Sequence, residues 1–261
     1  MRLQITLSVE RAVSLSLNHQ HFLTAAVYDF LDRADADYAR FLHDDGYAAN
    51  ENNSDKRRFK LFCFSMIRAQ KRRIVRDQLV LTGNEAQWLV TSPLEKFLSE
   101  FASGLLGLGV LRVGRAAFPI KNVETLPMPQ FSSPQALTCL TPIVAGVMAQ
   151  HNGKPATKYL RPGDEEFPER LRANLLRKYS ALHGHAPENS EFTVEWDENY
   201  LSRHKSTKLI DYKGVLLPGA FCPFTISGSR ELIEFAYNAG LGEKNAGGFG
   251  MIEAQAQKGV T

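Results

Sequence analysis

The chain of 261 residues is 44% hydrophobic and 10% aromatic, enough to bury a core and more naturally divided into two modest domains than packed as one. With 19 Gly and 12 Pro it is neither disordered nor collagen-like, its apolar runs at 101–111 and 139–149 are too short and interrupted to span a bilayer, and its first ten residues lack the apolar run of a signal peptide; a cytoplasmic protein without membrane contact is expected. Thirty-one Lys and Arg against 28 Asp and Glu leave a net charge of only +3, which by itself excludes no partner.

Residues 3–9 alternate apolar and polar side chains as a strand does, and after Asn18 the residues Leu23, Ala26, Val27, Phe30 and Leu31 fall on one helical stripe. A short helix over 35–42 follows, with Tyr38, Phe41 and Leu42 inward. Beyond a polar loop at 48–55, strands are expected at 58–67 and 74–81, joined by a turn around the AQKR of 69–72. The span 56–76 holds nine basic residues and no acidic one: Lys56, Arg57, Arg58, Lys60, Arg68, Lys71, Arg72, Arg73 and Arg76. The other 240 residues therefore carry a net −6. Interleaved with Phe59, Phe62 and Phe64, such a patch is the footprint of a polyanion site in which unpaired bases stack on aromatic rings. The alternative is a solvated basic hairpin tip. A helix opened by Ser92 and Glu95 as a capping box runs towards Gly107, before a strand at Val110–Val113.

The same order recurs further on. Strands are expected at 123–128 and 137–147, a long helix over 165–182, strands at Phe192–Trp196, 214–217 and 224–227, a helix from Ser229 to Gly240, and a last strand at 249–254. Two consecutive split βαβ patterns predict an α+β protein of two tandem ferredoxin-like (RRM-like) domains with antiparallel sheets, covering 1–117 and 118–261. Cys63, Cys139 and Cys222 are far apart and sit among apolar neighbours, as reduced core thiols do. The HxH pairs at 19–21 and 183–185 lack a third ligand at metal spacing, so neither a metal nor a cofactor is expected.

The stretch GLGEKNAGGFG, residues 240–250, carries five glycines between a helix and a strand. A dinucleotide fingerprint would need Gly where Asn245 stands and the opposite element order, and a Walker loop would need Lys and Ser or Thr after Gly247. Two readings remain. In one, bare backbone N–H groups approach a phosphate with Lys244 adding charge; in the other, Gly240 caps a helix and the rest is an ordinary turn.

Here the sequence resembles the CRISPR-associated endoribonucleases that cut repeat transcripts into guide RNAs, the sixth of the Cas proteins. Their GxGxxxxxGFG loop is matched at every fixed position by Gly240, Gly242, Gly248, Phe249 and Gly250. NHQHFLTAAVYDFL (18–31) resembles the family's first helix, FLHDDG (41–46) its catalytic-histidine segment and KLFCFS (60–65) the strand that follows. The resemblance implies a metal-independent endoribonuclease that binds CRISPR repeat RNA, with a CRISPR effector complex or a second copy of the chain as further candidate partners. Carried over residue by residue, it makes Tyr28, His43 and Lys60 the catalytic candidates. RNA binding would fall to Arg57, Arg58, Arg68, Lys71, Arg72 and Arg73 together with Gly240, Gly242, Lys244, Asn245, Gly248, Phe249 and Gly250.

The residues themselves suit those roles. His43 falls at the end of a short helix beside Asp44 and Asp45, surroundings that favour a protonated ring and suit a proton donor. Tyr28 stands at the edge of the apolar stripe, where its hydroxyl can leave the core and orient a ribose 2′-OH. Lys60 would neutralise charge on phosphorane oxygens, although the loop 48–55 separates it from His43 and Lys56 could serve instead. The plain alternatives are a surface histidine, a packing tyrosine with a wetted tip, and one basic residue among nine. A non-catalytic RNA-binding subunit on the same scaffold is the competing reading of the whole chain.

Overall fold

The computed structural model describes residues 1–48, 57–151 and 153–255. In the N-terminal half the elements are β1 (Arg2–Ser8), β2 (Val13–Ser16), α1 (Gln20–Ala34), α2 (Ala36–Asp44), β3 (Tyr47–Ala48), β4 (Arg58–Phe59), β5 (Cys63–Phe64), β6 (Arg72–Val75), β7 (Gln78–Leu81), β8 (Glu85–Thr91), α3 (Glu95–Leu108), β9 (Val110–Val113) and β10 (Ala116–Leu126). The main sheet has the order β5-β8-β1-β10-β9 with every pairing antiparallel, the ferredoxin-like arrangement in which the first strand lies between the third and the last. Leu3, Ile5 and Leu7 alternate inward from β1, and the α1 stripe of Leu23, Val27, Phe30 and Leu31 covers them. Helices α1 and α3 press together so closely that a Cβ on Gly104 would lie 1.8 Å from the Phe30 carbonyl oxygen; only glycine fits there.

The C-terminal half comprises β11 (Gln135–Cys139), β12 (Gly146–His151), β13 (Lys154–Tyr159), α4 (Glu166–His183), β14 (Phe192–Trp196), α5 (Glu198–Arg203), β15 (Thr207–Tyr212), β16 (Val215–Ala220), β17 (Phe224–Gly228), α6 (Arg230–Ala239) and β18 (Ile252–Ala254). Its sheet, β14-β17-β11-β18, repeats the ferredoxin-like order, and β12–β13 and β15–β16 form separate hairpins. The α+β class with antiparallel sheets is therefore as expected from the pattern.

Several expectations change in detail. Strand β10 runs through residues 117 and 118 and pairs with β1 up to Leu126, so the chain changes sheet after Leu126 and a division at 117/118 would cut a strand. The expected strand 58–67 is broken because Leu61 takes a left-handed φ of 54°, leaving only β4 and β5. The turn lies at Arg76, with φ 56°, instead of at AQKR, and folds 72–81 into the hairpin β6–β7. Phe41 is exposed, not inward. Ser92 does not cap α3; its hydroxyl donates to the Leu61 carbonyl and accepts from Leu94 N–H.

The two halves are bolted together through Arg2. Its side chain is buried, donates to the carbonyls of Ile252 (2.8 Å) and Tyr237 (3.3 Å), pairs with Glu253 and lies 3.7 Å from the Tyr237 ring centroid. Among the described residues no helix is long and apolar enough to cross a membrane, and Cys63, Cys139 and Cys222 are buried free thiols.

Candidate active site

Helix α1 turns its apolar stripe to the sheet and leaves Thr24 and Tyr28, one turn apart, half-buried at its margin. The Tyr28 ring meets Phe62 edge-on at 6.0 Å between centroids and His43 edge-on at 5.3 Å. Burial, reinforced by Tyr212 and Asp44, pushes the Tyr28 hydroxyl up to about 12, so at neutral pH it is a donor and not a phenolate. His43 sits in the last turn of α2, exposed, with Nδ1 2.7 Å from Asp44 Oδ1. Because an ionised carboxylate only accepts, Nδ1 carries the proton in that bond and Nε2 is the nitrogen left to meet a substrate.

Lys60 closes the group. Its Nζ donates to the His43 carbonyl oxygen at 2.6 Å, setting an ammonium on the C-terminal end of α2. Burial lowers the Lys60 value from its ordinary one, while Asp44 and Asp45 hold it up. The approach depends on Gly46, which sequence reasoning passed over. Gly46 has φ +65°, and a Cβ there would stand 2.8 Å from the Phe59 carbonyl oxygen and 3.2 Å from Lys60 Cδ. The available signal was a glycine three residues past His43, where a left-handed helix end is commonly placed. Three candidates separated by 15 and 17 positions in sequence thus meet in one cluster. Lys56 lies outside the described residues.

The glycine loop is not the open phosphate cradle considered above. Gly240, Gly242, Asn245, Gly248, Phe249 and Gly250 are all buried, and of the loop's proposed RNA contacts only Lys244 is exposed. The loop is wedged between the halves. Asn245 Nδ2 donates to the carbonyls of Leu241 and Phe249, and Thr24 Oγ1 donates to the Ala246 carbonyl and lies 3.3 Å from Tyr212 OH. A Cβ on Gly248 would lie 2.5 Å from the Phe64 ring. The glycines are needed because backbone runs against backbone and aromatic core there, not because N–H groups must face solvent.

The basic segment also divides. Arg68, Lys71, Arg72 and Arg73 are exposed on and before the β6–β7 hairpin, where every residue of β6 faces solvent. Arg57 and Arg58 stand apart from them, at the mouth of a cavity between the halves. Phe62 and Phe64 are fully buried in the core and cannot stack on bases; Phe59 is half-buried and lines the same cavity. That cavity, about 410 Å³, lies between β4 with Lys60 on one side and α4 with the glycine loop on the other. Arg170, Asn174 and Lys178, spaced four apart on α4, form its floor. Lys178 was not anticipated from sequence: it is buried, donates to the carbonyls of Gly240 (2.8 Å) and Gly242 (2.7 Å), and burial pushes it down to about 7.

On its other flank His43 borders a shallower depression lined by Asp29, Asp32 and Asp44 and by Arg40, which pairs with Asp37, so carboxylates outnumber cations there. Cations thus face the cluster from the Lys60 side and carboxylates from the α1–α2 side, so a polyanion is drawn to the former. Among the described residues no group of three or more His, Cys, Asp or Glu is arranged to hold a metal ion.

Comparison with known proteins follows the same division. Residues 14–124 match the family model "CRISPR-associated protein Cas6, N-terminal", and residues 126–254 match "CRISPR associated protein Cas6, C-terminal". The two matches meet where β10 ends, and they define a CRISPR-associated protein of two ferredoxin-like halves. The chain belongs to the Cas6 family of CRISPR-associated endoribonucleases. It is 29% identical over 252 residues to "CRISPR-associated endoribonuclease Cas6 1" of Methanocaldococcus jannaschii, covering 97% of this chain and 92% of that protein. To "CRISPR-associated endoribonuclease Cas6" of Pyrococcus furiosus it is 25% identical over 250 residues, covering 95% and 87%. A solved structure described as "CRISPR associated protein Cas6" superposes with a TM-score of 0.80 at 29% identity, covering 98% of this chain and 99% of that one. Another, "An RAMP protein binding different RNA substrates", shares the fold at a TM-score of 0.82 and 21% identity, covering 98% and 100%.

Proposed function

We propose that the chain binds CRISPR repeat RNA and cuts the precursor transcript within each repeat by attack of a ribose 2′-OH on the adjacent phosphate, without a metal ion. The convergence of Tyr28 from α1, His43 from α2 and Lys60 from just after β4 carries this reading. Tyr28, held neutral by its burial, orients the 2′-OH. As the 2′ oxygen bonds to phosphorus its proton leaves to water, the bond to the 5′ oxygen breaks, and His43, entering the step protonated on both ring nitrogens, gives its Nε2 proton to that oxygen and is left as the neutral Nδ1–H ring. Lys60 spends one N–H on the His43 carbonyl, and its remaining N–H groups offset charge on the non-bridging oxygens. The fragments end in a 5′-hydroxyl and a 2′,3′-cyclic phosphate.

His43→Ala decides between this and a binding subunit: single-turnover cleavage should fall by about 10²–10⁴-fold with repeat affinity little changed. Cleavage should persist in excess EDTA and stop when the one nucleotide upstream of the cut is 2′-deoxy, that RNA still competing for binding. A 5′-phosphate end, or activity lost in EDTA and restored by Mg²⁺ or Mn²⁺, would make a metal-activated water the nucleophile and sink the proposal.

A further inference from the structure

The hairpin β15–β16 stands out from the C-terminal half with Leu209, Val215 and Leu216 exposed, yet Tyr212, the last residue of β15, is half-buried. Its ring meets Phe249 edge-on at 5.6 Å between centroids. Its hydroxyl reaches past Gly247, where a Cβ would stand 3.1 Å from it. Gly247 is outside the fixed positions of the loop motif and does not take a left-handed φ, so a bare backbone serves there to admit this oxygen. The oxygen ends 3.3 Å from Thr24 Oγ1, one turn before Tyr28 on α1. The protons give that bond its direction. Thr24 has a single hydroxyl proton, and the carbonyls of Gln20 and Ala246, each 3.2 Å away, can only accept it. Tyr212 therefore donates to Thr24. It also lies close enough to Tyr28 for charge on its oxygen to oppose ionisation of the Tyr28 hydroxyl. The C-terminal half thus grips α1 beside Tyr28 at two points, the Ala246 carbonyl and the tip of the hairpin.

Resting on the cleavage reading above, we propose that Tyr212 is a positioning residue for the reaction: its hydroxyl pins Thr24, and with it the stretch of α1 that presents Tyr28, against the C-terminal half. Tyr212 acts through Thr24 and Tyr28 and is not itself a catalytic residue. Tyr28 can orient the 2′-OH only while its helix is fixed relative to an RNA held by both halves, and a misplacement of about 1 Å costs up to about 10²-fold in rate. The hairpin supplies that fixity from 184 residues further along the chain than Tyr28.

Tyr212→Phe removes the hydroxyl and keeps the ring on Phe249, so it is the variant to test. With the protein in saturating excess over a labelled transcript of a CRISPR repeat from the host genome, its single-turnover cleavage rate should fall by about tenfold. Affinity for that RNA should stay within about twofold, and the melting midpoint within about 5 °C, of the parent, since one hydrogen bond is lost. Thr24→Val should give the same loss of rate, and Thr24→Ser, which keeps the hydroxyl, should restore most of it. Tyr28→Phe is the discriminating background. There Tyr212→Phe should cost less than about twofold more, because the group being positioned is gone. A tenfold loss that persists in that background would show Tyr212 acting elsewhere and overturn the proposal, as would a parental rate for Tyr212→Phe. A loss of rate matched by an equal loss of affinity would make Tyr212 a packing residue and overturn it too. If Tyr28→Phe alone leaves the rate unchanged, Tyr28 needs no positioning and the proposal falls with cleavage intact. A parent that binds the RNA without cutting it would instead refute the cleavage reading itself.

Discussion

Gly248→Ala tests what the glycine loop is for. Gly248 has φ +80°, in a region where a side chain costs about 1–2 kcal/mol, and the added methyl would stand 2.5 Å from a ring carbon of Phe64. Phe64 is fully buried and packed edge-on against Trp88 at 6.0 Å, so the ring has no free direction in which to retreat. Overpacking of that kind costs a further ~1–3 kcal/mol, for a total of roughly 2–5 kcal/mol. At about 2–4 °C per kcal/mol for a chain near this size, the melting midpoint should drop by about 4–20 °C in differential scanning fluorimetry. RNA affinity measured well below that midpoint should stay within about threefold of the parent, since Gly248 is buried against Phe64 and is not among the residues lining the cavity. An unchanged midpoint with weakened RNA binding would refute this reasoning and return Gly248 to a direct phosphate-binding role.

Gly46→Ala should push Lys60 off the end of α2 and lower single-turnover cleavage by about 10- to 100-fold with little loss of affinity; a parental rate would show that the Lys60 contact is dispensable. Reversing Arg72 and Arg73 to Glu should weaken RNA binding and flatten its log–log salt slope by about 1.4 if both meet phosphates, and an unaltered slope would move the RNA path off the β6–β7 hairpin. Lys178 gives the fold a pH dependence whose sign follows from its burial. Its folded value of about 7 lies below the ordinary 10.5, so between these limits the unfolded chain holds more protons and stability rises with pH, by up to about 1.4 kcal/mol per unit, levelling off below about 7. Urea unfolding between pH 7.0 and 8.5 should show this slope in the parent and not in Lys178→Met; equal slopes would remove Lys178 from the linkage.

The helices were legible because their stripes are strong: the five residues marked on α1 are all buried, and α4 starts within one residue of expectation. Strand β8 escaped because its last residues, Leu89, Val90 and Thr91, are all buried, so the alternation of a half-exposed strand fades there and runs straight into the lead of α3. The strand expected at 214–217 falls on β16, whereas β13 and β15 are largely exposed and carry little apolar signal. At the site, the Tyr28–His43–Lys60 group was reachable through resemblance alone, since no local rule brings residue 60 back to residue 43. The glycine loop and Phe64 look available for RNA until the two halves are laid together, Gly248 against Phe64, whereas Phe62 is buried inside its own half against Tyr28 and Phe97.

That mutual covering bears on how the molecule is made. Arg2 is synthesised 250 residues before one of its acceptors, the Ile252 carbonyl, and the Glu253 carboxylate follows that. Until they arrive, an N-terminal half with its own sheet complete would still hold a guanidinium meant for burial and a Cys63–Phe64 face without its Phe249 lid. The two halves resemble separate beads in sheet topology, but the fold closes like a clasp, with residues 252 and 253 fastening residue 2. A nascent chain stalled before residue 252 would carry the first sheet and three of the four strands of the second, and lack both β18 and the Arg2 joint between the halves.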